Sequence, residues 1–250
     1  MANTEELLKK QFLSYSQRAH LSSSFYFSDF LSLSEQSLLL SLNLGNADLF
    51  GGTEFSERKI AKFGKEEDNG YDEEYPITCI LVKPKGEKFA SELTHRDFLG
   101  AIMNLGITRD SLGDIVLKGN RAYVFALSRI ADVIISDLER VSHTTVVCET
   151  CKDLPDELKP HLEERKVNVA SERADAIVSA VFKMSRANSA ALFAAQRIFV
   201  SGKIFLNSGK TLNIGDTVSV RGFGKFIYNG IERETKKGRL FVNISIYKEE

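Results

Sequence analysis

The 250-residue sequence is long enough for one large domain or two to three small ones, and 43% hydrophobic residues suffice for real cores. Its net charge of -1 conceals an asymmetry: Ser171 to Glu250 carries 13 Lys and Arg against 7 Asp and Glu, a net of +6, which leaves residues 1–170 with 20 against 27, a net of -7. One half is therefore suited to a polyanion, while the absence of an apolar run of about 18 residues, of an apolar leader after Met1 and of an even cysteine set (only Cys79, Cys148 and Cys151) excludes membrane and disulfide-framework classes and predicts a cytoplasmic protein.

From the N-terminus, residues 5–20 place Leu8, Phe12, Tyr15 and Ala19 four and three positions apart, one face of an amphipathic helix. A second helix is predicted through Ser34-Glu35-Gln36-Ser37-Leu38-Leu39-Leu40, capped by Ser32 or Ser34, whose hydroxyls can accept the free N–H groups of a first turn. Residues 1–75 thus read as a helical region, with a turn at Phe50-Gly51-Gly52 and a solvated acidic loop from Lys65 to Glu74.

From Pro76 the pattern becomes regular. Ile77 to Val82 reads as a buried strand, Thr94 to Leu105 as a helix, Asp114 to Lys118 and Arg121 to Leu127 as a hairpin turned at Gly119-Asn120, Ile130 to Val141 as a helix and Thr144 to Cys148 as a last strand. The order β-α-β-β-α-β is the ferredoxin-like arrangement, also the plan of RNA-recognition domains, and it bounds a domain at 76–152. Tyr123, Phe125 and Leu127 alternate with Ala122, Val124 and Ala126, so one face of that strand is large and the other small. The large face is expected to pack on the helices rather than to stack bases.

Pro155 and Pro160 punctuate a linker, 153–170, that ends in a short apolar strand at Val167 and Val169. Within 171–250, Ala174, Ile177, Val178, Val181 and Phe182 form one helical stripe, Ser185 is a candidate N-cap for a second helix, and Ile198–Val200, Ile204–Leu206, Thr217–Arg221 and Leu240–Tyr247 read as strands. The predicted fold class is α+β.

Arg186 at a helix N-terminus can join free N–H groups in holding a phosphate, and Lys203, Lys210, Arg221 and Lys225 fall near strand ends and turns; ordinary solvated charge is the competing reading of each. Arg96 and Arg109 are additional RNA-facing candidates, against solvation or pairing within their own domain. Three motifs imitate other chemistry. His95-Arg96-Asp97 resembles a kinase triplet without a Gly-rich loop, a Lys partner or Asp-Phe-Gly, and reads as a charged helix start in which Asp97 favours the first turn. Lys183-Met184-Ser185-Arg186 imitates a synthetase signature loop without its nucleotide-binding sheet. Cys148-x-x-Cys151 has zinc spacing but only Cys79, His143 and His161 to complete a site, so it reads as a strand-end thiol beside a buried one. No cofactor, metal, catalytic residue or small-molecule substrate is expected.

The C-terminal block resembles the S4 RNA-binding domain. The resemblance is carried by Arg173-Ala174-Asp175, Ser185-Arg186, Val200-Ser201-Gly202-Lys203, Leu212, Gly215-Asp216 and Val218-Ser219-Val220-Arg221, about 60 residues in all. It implies a helix–helix–strand display of cations along folded RNA, with Arg173, Ser185, Arg186, Lys203, Lys210, Arg221 and Lys225 as contacts. That family often has Gly where Gln196 stands and Asn where Ser201 stands.

With Phe50-Gly51-Gly52, Glu57-Arg58-Lys59, Thr94 to Ala101, Leu105 to Arg109, Gly113-Asp114-Ile115 and Arg221-Gly222-Phe223-Gly224-Lys225, the chain from about residue 25 onward is similar to the YlmH family of bacterial S4-domain proteins. The resemblance implies a middle ferredoxin-like domain, a C-terminal S4 domain, rRNA and tRNA as partners on the large ribosomal subunit, a role in rescue of stalled complexes that hold peptidyl-tRNA, and a link to cell division. Two other classes compete. An S4-targeted RNA-modifying enzyme would need a catalytic Asp in a large mixed sheet or a Gly-rich cofactor loop, which residues 1–170 do not show; a division-site adaptor would bind protein through the acidic N-terminal part.

Overall fold

In the computed structural model, which describes residues 2–86, 93–155, 158, 161–236 and 238–248, the chain divides into two units, Met1–Lys159 and Pro160–Glu250. The first begins with α1 (Ala2–Ser22), β1 (Tyr26–Leu31), α2 (Leu33–Ser41), β2 (Ala47–Phe50) and β3 (Lys59–Phe63), the three strands forming an antiparallel sheet in the order β1-β3-β2. Phe12 and Ala19 of α1 are buried with Leu31, Leu39, Ala61 and Phe63, and Leu8 and Tyr15 pack against them. Ser32 is the cap of α2, in a capping box with Glu35. The N-terminal region is therefore mixed rather than helical. Its first strand escapes the period-2 signal because the pairing of β1 with β3 shifts between Phe27 and Phe30 and scrambles the alternation. The acidic stretch expected as a loop contains one helical turn, α3 (Glu66–Asn69), closed by Gly70 in the left-handed region at φ 75.

The same unit continues through β4 (Ile77–Pro84), α4 (His95–Met103), β5 (Leu112–Lys118), β6 (Arg121–Leu127), α5 (Ser128–Asp137), β7 (Arg140–Val141) and β8 (Thr144–Thr150). They build an antiparallel sheet in the order β5-β6-β4-β8-β7. Thr94 and Asp97 form the capping box that opens α4, as the charged start of that helix predicts. The α5 helix stops four residues short of the predicted Val141, because Arg140 and Val141 turn back through Ser142, at φ 53, to pair with Thr145 and Thr144.

Both faces of this second sheet are covered. Ala122, Val124 and Ala126 lie with Phe98, Ile102, Ala131 and Ile134 of the helices. Tyr123, Phe125 and Leu127 lie instead with Phe30 and Ile60 of the N-terminal sheet. Core packing of the large residues is as predicted, but on the opposite side: small residues admit the helices and large ones fill the wider gap between two sheets. Gly113 marks a close approach, since a β-carbon there would sit 2.7 Å from the Phe30 ring.

The second unit contains β9 (Leu162–Val169), α6 (Ala174–Val181), α7 (Arg186–Ala194), β10 (Ile198–Val200), β11 (Lys203–Ile204), β12 (Thr217–Val220), β13 (Gly224–Glu234) and β14 (Leu240–Tyr247), in a six-stranded antiparallel sheet ordered β11-β10-β12-β13-β14-β9. The expected linker to residue 170 is thus structured over its last part, with Leu162 to Val169 paired residue by residue to β14. Its charged sequence is that of an edge strand, whose outward side chains stay in water while Val167 and Val169 enter the core. Ile177, Val178 and Val181 of α6 and Phe193 of α7 pack on Ile198, Val218, Val220, Phe226 and Val242 of the sheet.

Candidate nucleic-acid interface

Five of the six cations predicted as RNA contacts fall into two groups. The first surrounds the start of α6. Arg173 is its N-cap, and its guanidinium donates from Nε and Nη2 to the two carboxylate oxygens of Asp175 at 3.0 and 2.8 Å. That fork holds the Asp175 carboxyl, itself buried, below the usual carboxylate range. The backbone N–H groups of Ala174 and Asp175 donate to the carbonyls of Lys210 and Ser208, at 2.9 and 3.0 Å. The free donors of this helix end are consequently taken by the chain itself, and Lys210 is placed beside Arg173 with its side chain exposed.

Ser185 caps α7 by accepting the N–H of Asn188 at 3.1 Å, and Arg186 follows it exposed to solvent. Arg186 lines a cavity of about 410 Å³ with Asn168, Ser179, Met184 and Arg239, and its charge acts on Asp175. Lys203 is exposed after the tight turn at Ser201 and Gly202, where the Ser201 hydroxyl donates to Asp216 at 3.1 Å. Gln196 and Ser201 have φ of 55 and 47, so both stand in the left-handed region that favours Gly and tolerates Asn.

The second group lies where β10 begins and β12 ends. Ile198 pairs with Val220, which sets Arg197 beside Arg221. The Arg221 N–H donates to the Arg197 carbonyl at 2.9 Å, and Arg197 Nη2 donates to the Arg221 carbonyl at 2.8 Å. The Arg221 guanidinium sits 4.5 Å from the centre of the Phe199 ring, and Lys225 Nζ 4.2 Å from that of Tyr247. Burial pushes the Lys225 ammonium down to about 8. Lys248 adjoins them and pairs with Glu163 at 3.1 Å.

Of the seven predicted contacts, Arg173, Lys210 and Arg186 gather near Asp175, Ser185 caps α7 next to Arg186, Arg221 and Lys225 lie near the β12–β13 turn, and Lys203 at the far end of β10 from Arg197. Arg197 and Lys248 escape sequence reading. The only signal for Arg197 is its place just before a strand that pairs with the one ending at Arg221.

The two candidates of the first unit differ from each other. Arg96 is exposed on a concave surface shared with Asp97, Asp137, Glu139 and Arg140, of mixed sign. Arg109 is turned inward: its Nη1 donates to the carbonyls of Leu112 and Gly113 at 2.6 and 3.0 Å, and burial and Arg58 lower its pKa to about 10. Cys79 is the buried thiol, pushed up to about 12 by burial and then by Cys151, while Cys148 and Cys151 are half-buried. Among the described residues no group of three His, Cys, Asp or Glu side chains is arranged to hold a metal ion, and no helix is long and apolar enough to cross a membrane.

Residues 71–153 match the family model described as "Putative RNA-binding domain in YlmH". The chain is 31% identical over 217 residues to the "Ribosome-associated protein quality control protein P2" of Bacillus subtilis (strain 168), covering 84% of this chain and 83% of that protein. Among solved structures it is similar to the cell division protein ylmH from Streptococcus pneumoniae, at 20% identity and a TM-score of 0.47, over 59% of this chain and 91% of that one.

Proposed function

This chain belongs to the YlmH family, and from that premise we propose that it is a non-enzymatic RNA-binding protein of the ribosome. Its Pro160–Glu250 unit acts as an S4 domain that grips structured rRNA or tRNA on the large subunit, in rescue or quality control of stalled 50S complexes with peptidyl-tRNA. The observation that carries this reading is the separation of charge: a net of +6 concentrated after residue 170, with Arg173, Arg186 and Lys210 near the start of α6 and Arg197, Arg221 and Lys225 near the β12–β13 turn. The relative from Bacillus subtilis, named for ribosome-associated quality control, supports the setting.

Residues 76–152 of the first unit are read as a ferredoxin-like domain, and the family model that matches residues 71–153 is named for RNA binding. Because Tyr123 and Phe125 are 5% and 1% exposed, they cannot stack bases there. RNA contact in that unit is left to the edges and loops of its sheet.

The test is a titration of the full chain with 23S rRNA fragments and with tRNA across salt concentrations, beside sedimentation of tagged protein through a sucrose gradient. Expected are co-migration with the 50S particle and an affinity that falls steeply with salt, as condensed counterions are released. Micromolar binding that is flat with salt would overturn the reading.

A further inference from the structure

The turn joining β12 to β13 borders a cavity of about 590 Å³ lined by Arg221, Gly222, Phe223, Lys225, Tyr247 and Lys248, among others. We propose that this cavity receives a single unpaired nucleotide, its base on the Phe223 ring and its phosphate between Arg221 and Lys225. The inference rests on the RNA-binding reading and adds to it the chemistry of one subsite.

Charge decides the class of ligand. Among the described residues the lining holds three cations, Arg221, Lys225 and Lys248, and no carboxylate, and Glu163 beside Lys248 is paired with it and with Arg165. Phosphate alone would not account for the aromatic part. Phe223 is 49% exposed at the tip of a turn, with its ring centre 6.0 Å from that of Phe182. A ring held at its base and open to water offers a stacking platform, and base–aromatic stacking uses any of the four bases. Paired duplex hides its base faces, so only a nucleotide outside the stack engages both ring and cations.

The backbone is shaped for close approach. Gly222 and Gly224 have φ of 84 and 123, and neither carries a side chain over the floor of the site. Gly222 also leaves room for Arg197 behind the turn, since a β-carbon on Gly222 would lie 2.8 Å from its Nη2. The cations are already laid against Phe199 and Tyr247, so binding orders little that is not ordered beforehand. Burial lowers the Lys225 pKa, so its ammonium is partly stripped of water where it lines the cavity. The volume falls within the roughly 300–1,000 Å³ of small-ligand sites.

The experiment uses the full chain and two fluorescein-labelled RNA hairpins, one fully paired in its stem and one with a single bulged uridine, read by anisotropy. The wild type should prefer the bulged stem by about tenfold, the order expected of one stacked base. Phe223→Ala and Phe223→Leu should abolish the preference, and Phe223→Trp should keep it; Phe223→Leu retains apolar packing on Phe182, and circular dichroism confirms that each variant is folded. With 4-thiouridine in the bulge, cross-links should map to residues 219–225. Equal binding of the two stems by the wild type, or an unchanged preference in folded Phe223→Leu, overturns the subsite while leaving the RNA-binding reading in place. No binding of either stem overturns both.

Discussion

Asp114 holds Arg58 by its backbone: one carboxylate oxygen accepts the Arg58 N–H at 3.1 Å, while the other accepts that of Glu57 at 2.6 Å. The Arg58 side chain answers across the same joint, donating to the carbonyls of Leu112 at 2.9 Å and Phe30 at 2.7 Å. Arg58 and Gly113-Asp114, which carry the family resemblance, thus fasten the N-terminal sheet to the middle one. Their chemistry is structural. Burial makes the fastening costly to lose, because each group freed from its partner remains out of reach of water.

Replacing Asp114 by Ala leaves the backbone donors of Glu57 and Arg58 without their acceptor and the half-buried guanidiniums of Arg58 and Arg109 without a nearby negative charge. The expected cost is about 2–4 kcal/mol. It should appear as a lower urea midpoint for the first unit, and Asp114→Asn, which keeps one acceptor oxygen, should lose less. A midpoint unchanged by Asp114→Ala would remove the joint from the account.

Gln196 offers a gain instead. With φ at 55 it carries the steric cost of a left-handed β-carbon, about 1–2 kcal/mol, against the extra chain entropy of Gly, about 0.5–1 kcal/mol. Gln196→Gly should therefore stabilise the second unit by about 0.5–1 kcal/mol in denaturant titration. Since Arg197 follows directly, RNA affinity reports whether the turn also sets that side chain.

What could be read from the sequence was local. The Ser32 cap of α2, the place of Asp97 in the first turn of α4 and the two-residue turn at Gly119-Asn120 are visible because the residues that make them are three or fewer apart. What could not be read depends on distant pairing. The β1 strand hides behind a register shift, the large face of β6 meets Phe30, more than ninety positions away, and the charges of β9 look like a linker until β14 lies beside them. The site divides in the same way: Arg173 and Asp175 are neighbours in sequence, whereas Arg197 and Arg221 meet only because β10 pairs with β12.

Arg173 and Asp175 give a test in which pH separates structure from recognition. Asp175 has its pKa lowered in the folded state, chiefly by the Arg173 hydrogen bonds. The stabilisation is present above the unfolded value of 3.8 and is lost as pH falls through the folded one. Arg173→Ala should therefore lower the thermal midpoint at pH 7, and the gap to wild type should close at acid pH. If the gap stays constant with pH, Arg173 acts on stability by some route other than Asp175.

Lys225 gives two opposite pH dependences from one group. Its folded pKa is about 8, below the ordinary 10.5, because burial disfavours the charge. Between those values the unfolded chain binds the additional proton, so this group makes folding stability rise as pH climbs from 8 toward 10.5. A bound phosphate favours the ammonium, so an RNA complex keeps the proton that the free protein gives up, and affinity should fall as pH rises through 8. Arg221 stays charged throughout, and Tyr247 and Lys248 face the same cavity. With the complex fully protonated and the free site at about 8, raising pH from 7 to 9 should weaken binding roughly tenfold. Lys225→Arg, whose charge does not titrate in this range, should bind RNA with the same affinity at both pH values while folding normally. If wild type and Lys225→Arg show the same pH profile, the cation at the β12–β13 turn is not the group that meets the phosphate.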